Sequence, residues 1–180
     1  MSDFSYTLFE TALGRCGLAW GPNGVRSVSF AAASDEETVN HLCRRAPGAR
    51  ETHAPPESIA AMISDIKALF KGEARDLSYA ALDMEGVGDF DRKVYALSLK
   101  IMPGEAKTYG DLAKAMGDVA HSRRVGQALG RNPFPIIVPC HRIVGASGAM
   151  TGFSAPGGAE LKRKLLKIEG ALGPDLFDAL

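Results

Sequence analysis

The sequence predicts an α/β (α+β) fold in two parts. Residues 1–86 form a small N-terminal antiparallel-sheet domain with flanking helices, and residues 87–180 a mostly helical domain with a helix-turn-helix. Three observations predict it. From Phe4 to Phe30, apolar and polar residues alternate with the period of half-buried strands. After Glu85-Gly86-Val87-Gly88 the periodicity turns helical, so this stretch reads as a linker. Further on, two short helical stretches are joined by a tight, polar turn.

In chain order, Phe4, Tyr6 and Leu8 alternate with Ser5 and Thr7, and Cys16, Leu18 and Trp20 alternate again. Pro22-Asn23-Gly24 supplies a turn, and Arg26–Phe30 reads as a third strand of an antiparallel meander. Cys16 and Trp20 are core residues in this reading. Ser34-Asp35-Glu36-Glu37 has the capping-box pattern and opens a helix to about Arg45, broken by Pro47-Gly48. Pro55-Pro56 precedes a second helix with Ile59, Met62, Ile63, Ile66 and Phe70 on one face, ended by Gly72. Leu77 to Leu82 reads as a short strand. Beyond the linker, Phe90, Val94, Leu97 and Ile101 make a helical stripe, stopped by Pro103-Gly104. Thr108 caps a helix over Gly110–Met116, and another runs from Ser122 to Gly130. The last helix spans Ala159–Glu169, with Leu161, Leu165 and Ile168 inward.

Formal net charge is zero, which by itself argues against a nucleic-acid protein. The distribution is uneven, however. Between His121 and Glu169 stand Arg123, Arg124, Arg131, Arg142, Lys162, Arg163, Lys164 and Lys167, against only Glu160 and Glu169. That arrangement suits a phosphate-binding face, and equally a set of unrelated solvated charges. No apolar run reaches membrane-span length and the N-terminus has no signal-peptide pattern. The three cysteines lack CxxC spacing, and free thiols fit a reducing, cytoplasmic location. Cys16, Cys43, His41 and His53 show no ligand pattern, so neither metal nor cofactor is expected.

The most chemically suggestive stretch is Ile136-Ile137-Val138-Pro139-Cys140-His141-Arg142-Ile143-Val144. Its apolar flanks read as a buried, extended segment, with Cys140 where that segment meets a bend. A free cysteine is usually a small core hydrophobe. Here His141 and Arg142 need partners or water, and an adjacent imidazole or guanidinium favours the nucleophilic thiolate. In the second helix of the pair, Gly126, Ala128 and Gly130 are small. They permit either tight packing on a neighbouring helix or close approach to a nucleic-acid groove.

The run Asn132-Pro133-Phe134-Pro135-Ile136-Ile137-Val138-Pro139-Cys140-His141-Arg142 resembles the active-site signature of the O6-alkylguanine-DNA alkyltransferases, also called methylated-DNA–protein-cysteine methyltransferases. The similarity extends to Thr108–Ala113, Ser122–Arg131, Gly152-Phe153-Ser154 and Leu165–Gly170. The N-terminal half is similar only in outline; there the resemblance implies a ribonuclease H-like domain. It also implies direct DNA repair: Cys140 takes the alkyl group from O6-alkylguanine, and possibly from O4-alkylthymine, as a thioether. The protein would be a single-turnover enzyme, a monomer acting on double-stranded DNA.

By the same resemblance, His141 draws the proton from Cys140 through a water and Glu169 orients the histidine. Tyr109 protonates the departing guanine and lines the base pocket with Val138, Phe153 and Ser154. Val138 and Cys140 offer backbone carbonyls to the base, and Ser154 a hydrogen bond to O6. The second helix enters the minor groove, where base readout is weak, and the nucleotide is flipped out. Arg123 fills the vacated stack. Arg124, Gly126, Gln127, Ala128 and Arg131 complete the DNA face, and Asn132 ties the helix-turn-helix to the active-site segment. Two features depart from the family pattern. Arg124 stands where alanine is common, and the loop Phe153–Gly158 is about two residues longer.

The runner-up is a non-catalytic alkyltransferase-like lesion binder; those proteins typically carry tryptophan in place of the cysteine. A helix-turn-helix regulator would need sequence-specific binding, which small minor-groove residues do not support. A cysteine hydrolase would need an oxyanion loop, and none is recognisable.

Overall fold

The computed structural model describes residues 2–150, 155 and 157–172. Strands β1 (Ser5–Thr11), β2 (Gly14–Gly21) and β3 (Gly24–Ser29) form the expected meander, with Ser5 opposite Trp20 and Thr11 opposite Gly14. The first turn is closed by Thr11, whose hydroxyl accepts from Leu13 N–H at 3.0 Å and donates to the Gly14 carbonyl at 2.7 Å. At the second turn Gly24 has φ +114°, and a Cβ there would lie 2.3 Å from the Ala81 carbonyl oxygen, so only glycine fits. Helix α1 (Asp35–Cys43) is capped by Ser34, whose hydroxyl accepts from Glu37 N–H. A two-residue strand β4 (Arg50–Glu51) then pairs parallel to β1, giving the mixed order β3-β2-β1-β4.

Both faces of this sheet are covered. Helix α1 lies on β2 and β3, so close that a Cβ at Gly17 would stand 2.7 Å from Leu42. Helix α2 (Glu57–Phe70) packs its Ile59, Met62, Ile63, Ile66 and Phe70 stripe into the core on which Cys16, Leu18 and Trp20 converge. Each large side chain buried there contributes roughly 1.5–3 kcal/mol. Leu77–Leu82 differs from expectation. It is irregular apart from a turn at Ser78-Tyr79 and a single bridge between Leu82 and Val25 on the outer edge of β3.

The C-terminal half contains α3 (Asp89–Ser98), β5 (Lys107–Thr108), α4 (Tyr109–Ala115), α5 (Ser122–Gly130), β6 (Ile143–Val144) and α6 (Gly158–Ile168). Helix α3 buries Val94, Tyr95 and Ser98; Leu97 is only half-buried, and Ile101 is buried in the loop beyond the helix. Tyr95 displaces Leu97 because its hydroxyl reaches the Ala128 carbonyl at 2.7 Å. Thr108 and Asp111 form a reciprocal capping box at the start of α4. After Gly117, Asp118 caps a single 3-10 turn that leads into α5. This is the helix-turn-helix.

The halves share one hydrophobic core running from Phe9 to Leu165. Val28 N–H donates to the Pro133 carbonyl at 3.0 Å, and the Arg45 guanidinium lies over the Phe134 ring at 5.7 Å. Among the described residues no helix is long and apolar enough to cross a membrane.

Candidate active site

Cys140 is placed by two prolines and a backbone outlier. Pro135 and Pro139 remove donors from the run before the cysteine. Ile136 has φ +79°, a left-handed conformation that a β-branched residue adopts only under strain, at a cost of about 1–3 kcal/mol. The segment is therefore a buried turn, closed by Val138 N–H to the Phe134 carbonyl at 2.8 Å, and not the extended run expected. The expected bend is present. Pro139 (φ −81°, ψ 67°) centres an inverse γ-turn in which Cys140 N–H reaches the Val138 carbonyl at 2.8 Å. A 3-10 turn over Cys140–Arg142 follows, and β6 pairs parallel with β5.

Asn132 holds this turn to the end of α5. Its side-chain nitrogen donates to the Val138 carbonyl at 2.9 Å, and its oxygen accepts from Phe134 N–H at 2.9 Å. The Val138 carbonyl thus takes two protein donors, Asn132 and Cys140 N–H, and both lone pairs are engaged.

His141 is fully buried, and its Nε2 is hydrogen-bonded to Glu169 at the end of α6. Burial holds the imidazole below its ordinary pKa, against the opposing pull of Glu169. A neutral ring held this way carries its proton on Nε2, assigned from the partner, and leaves Nδ1 as a bare lone pair. Nδ1 has no hydrogen-bond partner among the described residues. The Glu169 carboxyl is held below its usual range. Burial alone would raise it, but hydrogen bonds and charge from His141 and Arg142 outweigh that. Arg142 Nε donates to Glu169 at 2.7 Å and its Nη1 to the Ile101 carbonyl at 2.7 Å. The guanidinium therefore braces the carboxylate and does not serve the thiol, as the sequence alone suggested.

Burial pushes the Cys140 thiol up, opposed by Asn132 and by the charge of Lys162. At neutral pH the sulfur keeps its proton, so it needs a base, and His141 Nδ1 is the nearby group with that capacity.

Lys162 was not anticipated. It is fully buried on α6, its Nζ 3.4 Å from the Tyr109 hydroxyl and 5.5 Å from that ring's centre. Desolvation lowers its pKa to about 8. Its spacing to Leu165, Leu166 and Glu169 places all four on one helical face, a signal present in the sequence. The lysine titrates at about 8 when folded and near 10.5 when unfolded. The unfolded chain binds the extra proton between those values, so the lysine makes stability rise with pH across that window. Lys162→Met is expected to flatten the rise and slow attack by Cys140. Urea unfolding of both proteins at pH 8 and pH 10 checks this; the buried Cys16 and Cys140 thiols, pushed up by burial, act in the opposite sense in both, so an equal pH dependence in wild type and variant would show that the lysine is not sequestered.

On α5, Arg123, Arg124 and Gln127 are exposed, and Gly126 lies against the Tyr109 ring. Arg123 makes no hydrogen bond or ion pair to any described residue. Three expected contacts are placed differently. Ala128 is fully buried against α3, so tight packing explains this small residue. Arg131 is tied by two 3.0 Å hydrogen bonds to Asp91. Arg124 stacks 3.9 Å over the Phe90 ring. Phe153 and Ser154 lie outside the described residues.

Fold and site together define a class: a helix-turn-helix protein with a buried cysteine thiol followed in the chain by a histidine that is hydrogen-bonded to a buried glutamate. The family described as "6-O-methylguanine DNA methyltransferase, DNA binding domain" matches residues 89–171. The methylated-DNA–protein-cysteine methyltransferase of Methanosarcina acetivorans is 34% identical over 167 residues, covering 92% of this chain and 98% of its own. That of Mycobacterium tuberculosis H37Rv is 39% identical over 132 residues, covering 71% and 78%. The crystal structure of M. tuberculosis O6-methylguanine methyltransferase superposes with a TM-score of 0.73 at 32% identity, covering 97% of this chain and 99% of that one. That of M. tuberculosis OGT in complex with DNA gives 0.73 at 30%, covering 96% and 97%. The chain belongs to the methylated-DNA–protein-cysteine methyltransferase family.

Proposed function

We propose that this protein repairs DNA by direct, stoichiometric and irreversible transfer of the alkyl group from O6-alkylguanine to Cys140. O4-alkylthymine is a second substrate of the same chemistry. The observation that carries the reading is the buried His141, with one ring nitrogen fixed by Glu169 and the other open to accept a proton. The Cys140 proton passes to Nδ1 through one bridging water, and Glu169 stabilises the imidazolium. Sulfur attacks the alkyl carbon as the C–O6 bond breaks, and its electron pair leaves with guanine. Tyr109 gives its phenolic proton to the base, and the adjacent Lys162 ammonium stabilises the phenolate. The product is a thioether, which water does not cleave, so each molecule acts once.

The partner is double-stranded DNA, met by the exposed face of α5 in the minor groove with the damaged nucleotide flipped out. Arg123, exposed and unengaged by described neighbours, supports the role of filling the gap. Gln127 and Gly126 supply the close approach beside it. Tyr109 lines the base pocket. The active form is a cytoplasmic monomer, divided near residues 86 and 87 into a supporting and a catalytic domain.

The test is intact-protein mass measurement after mixing with a duplex carrying one O6-methylguanine. A gain of one methyl group is expected. No gain with retained preference for the lesion would make the protein a lesion binder. In the same assay, Arg123→Ala is expected to slow duplex repair by roughly tenfold or more relative to attack on free O6-benzylguanine, since unstacking costs a few kcal/mol. Equal slowing of both would remove the flipping role.

A further inference from the structure

A cleft of about 280 Å³ lies between the two halves, and Cys140 is among the residues that line it. The N-terminal half supplies Ser29 from β3, His41 from α1, and Arg44 and Arg45 just beyond it; the C-terminal half supplies Gly130 and Arg131. Two features set the cleft apart from a pocket built for a methyl group. Its volume is several times what a methyl needs, and among the described residues its lining holds three arginines and a histidine but no carboxylate.

The arginines are not equivalent. Arg131 is neutralised by its paired hydrogen bonds to Asp91. Arg45 donates to the carbonyls of Arg26, Asp83 and Glu85, which fix it without cancelling its charge. Asp83 lies beside this group, but its carboxylate is paired with Arg26 at 3.3 Å. Arg44 is exposed, and its side chain makes no hydrogen bond or ion pair to any described residue. Among the described residues, the side chain of His41 is engaged through a 3.4 Å contact with the Ser29 hydroxyl. An arginine that lines a cleft with no counter-ion among the described residues suits a planar, two-oxygen anion, which it binds through two parallel hydrogen bonds.

We propose that the protein preferentially accepts O6 substituents that are extended and acidic, of the carboxymethyl class, with the substituent's carboxylate lying in this cleft against Arg44. The proposal rests on the alkyl-transfer reading and adds the class of adduct. The step balances as before. Sulfur bonds to the methylene carbon, the C–O6 bond breaks with its pair going to guanine, and the carboxylate is unchanged in the resulting S-carboxymethyl cysteine. Electrostatic attraction acts on ground and transition states alike here, so it is read in the second-order rate constant.

The experiment compares three duplexes, alike except for an O6-methyl, O6-carboxymethyl or neutral O6-carbamoylmethyl guanine, with single-turnover rates followed by intact mass. The amide matches the acid in size, so their rate ratio isolates charge. Wild-type protein is expected to favour the acid over the amide by about tenfold, the scale of one partly screened ion pair. Arg44→Glu is expected to erase or invert that ratio, with the methyl rate within about twofold of wild type, and Arg44→Lys to keep part of it. Rising salt should shrink the wild-type ratio. A wild-type ratio near one overturns the proposal. So does Arg44→Glu slowing all three substrates equally, which would make Arg44 a phosphate contact. Normal methyl transfer with no acid preference rejects this inference alone, whereas no transfer from any duplex rejects the alkyl-transfer reading and this inference with it.

Discussion

Cys140→Ala is expected to abolish alkyl uptake completely while leaving affinity for lesion-bearing duplex within about twofold. Cys140 is 8% exposed and sits in a turn closed by backbone hydrogen bonds and the Asn132 side chain, which alanine keeps, so removing one sulfur leaves the turn intact. The cavity is small and its cost is on the order of 1 kcal/mol. Cys140→Ser separates nucleophilicity from shape. An alcohol is far less acidic than a thiol, and a base whose own pKa is lowered by burial does not deprotonate it, so the serine variant is also expected to be inactive. Intact mass and a binding titration on the same samples decide the matter. Loss of binding together with transfer would mean that Cys140 is a packing residue.

The second large effect is at Glu169. One carboxylate serves two buried cations or near-cations: it accepts from His141 Nε2 and from Arg142 Nε and Nη2. Glu169→Gln keeps the shape, removes the charge and leaves Arg142 buried without its counter-ion. Breaking one side of such a pair costs about 3–5 kcal/mol. The amide also offers a donor to Nε2, which drives the imidazole proton to Nδ1 and removes the base. Transfer is expected to fall by about 10²–10⁴-fold, the usual worth of a positioned base. The pH dependence has a definite sign. His141 and Glu169 both titrate lower in the folded protein than their ordinary values. Each therefore contributes stability that is full above its unfolded pKa and lost as pH falls through the folded one. Wild-type stability should decline progressively below about pH 6.5, and the glutamine variant should show a lower plateau and a shallower acid limb. Urea midpoints from pH 4 to 8 measure both. An unchanged midpoint at pH 7 would show that the Glu169 pair is not coupled to folding.

What could be read from the sequence was local or strongly patterned. The meander follows from alternation and one Pro-Asn-Gly turn. The start of α4 follows from Thr108 and Asp111, three residues apart. The nucleophile and its histidine are adjacent in the chain. What could not be read depends on partners far away in sequence. Arg131 looks like a phosphate contact until Asp91, forty residues earlier, is folded against it. Ala128 looks like a groove-facing residue until Tyr95 arrives across α3. Ile136–Val138 has the composition of a strand, but its flanking prolines and the Asn132 bridge bend it into a turn. Lys162 was legible in principle, because its spacing to Leu165 and Glu169 points inward. Charge was taken to mean solvent, and that assumption hid it.

The hydrogen bond from Val28 to Pro133 has a consequence beyond positioning the nucleophile. In the order β3-β2-β1-β4, β3 is an outer strand, and an outer strand with free donors and acceptors is a template for pairing with another chain. Here that edge is occupied: Val25 pairs with Ala81 and Asp83, and Val28 with the turn that leads to Cys140. The segment that leads to Cys140 thus covers part of the outer edge of β3, and residues 81–83 cover the rest of what is paired. The same backbone carbonyl that anchors the run to Cys140 therefore also takes up a donor that would otherwise be free on an outer strand.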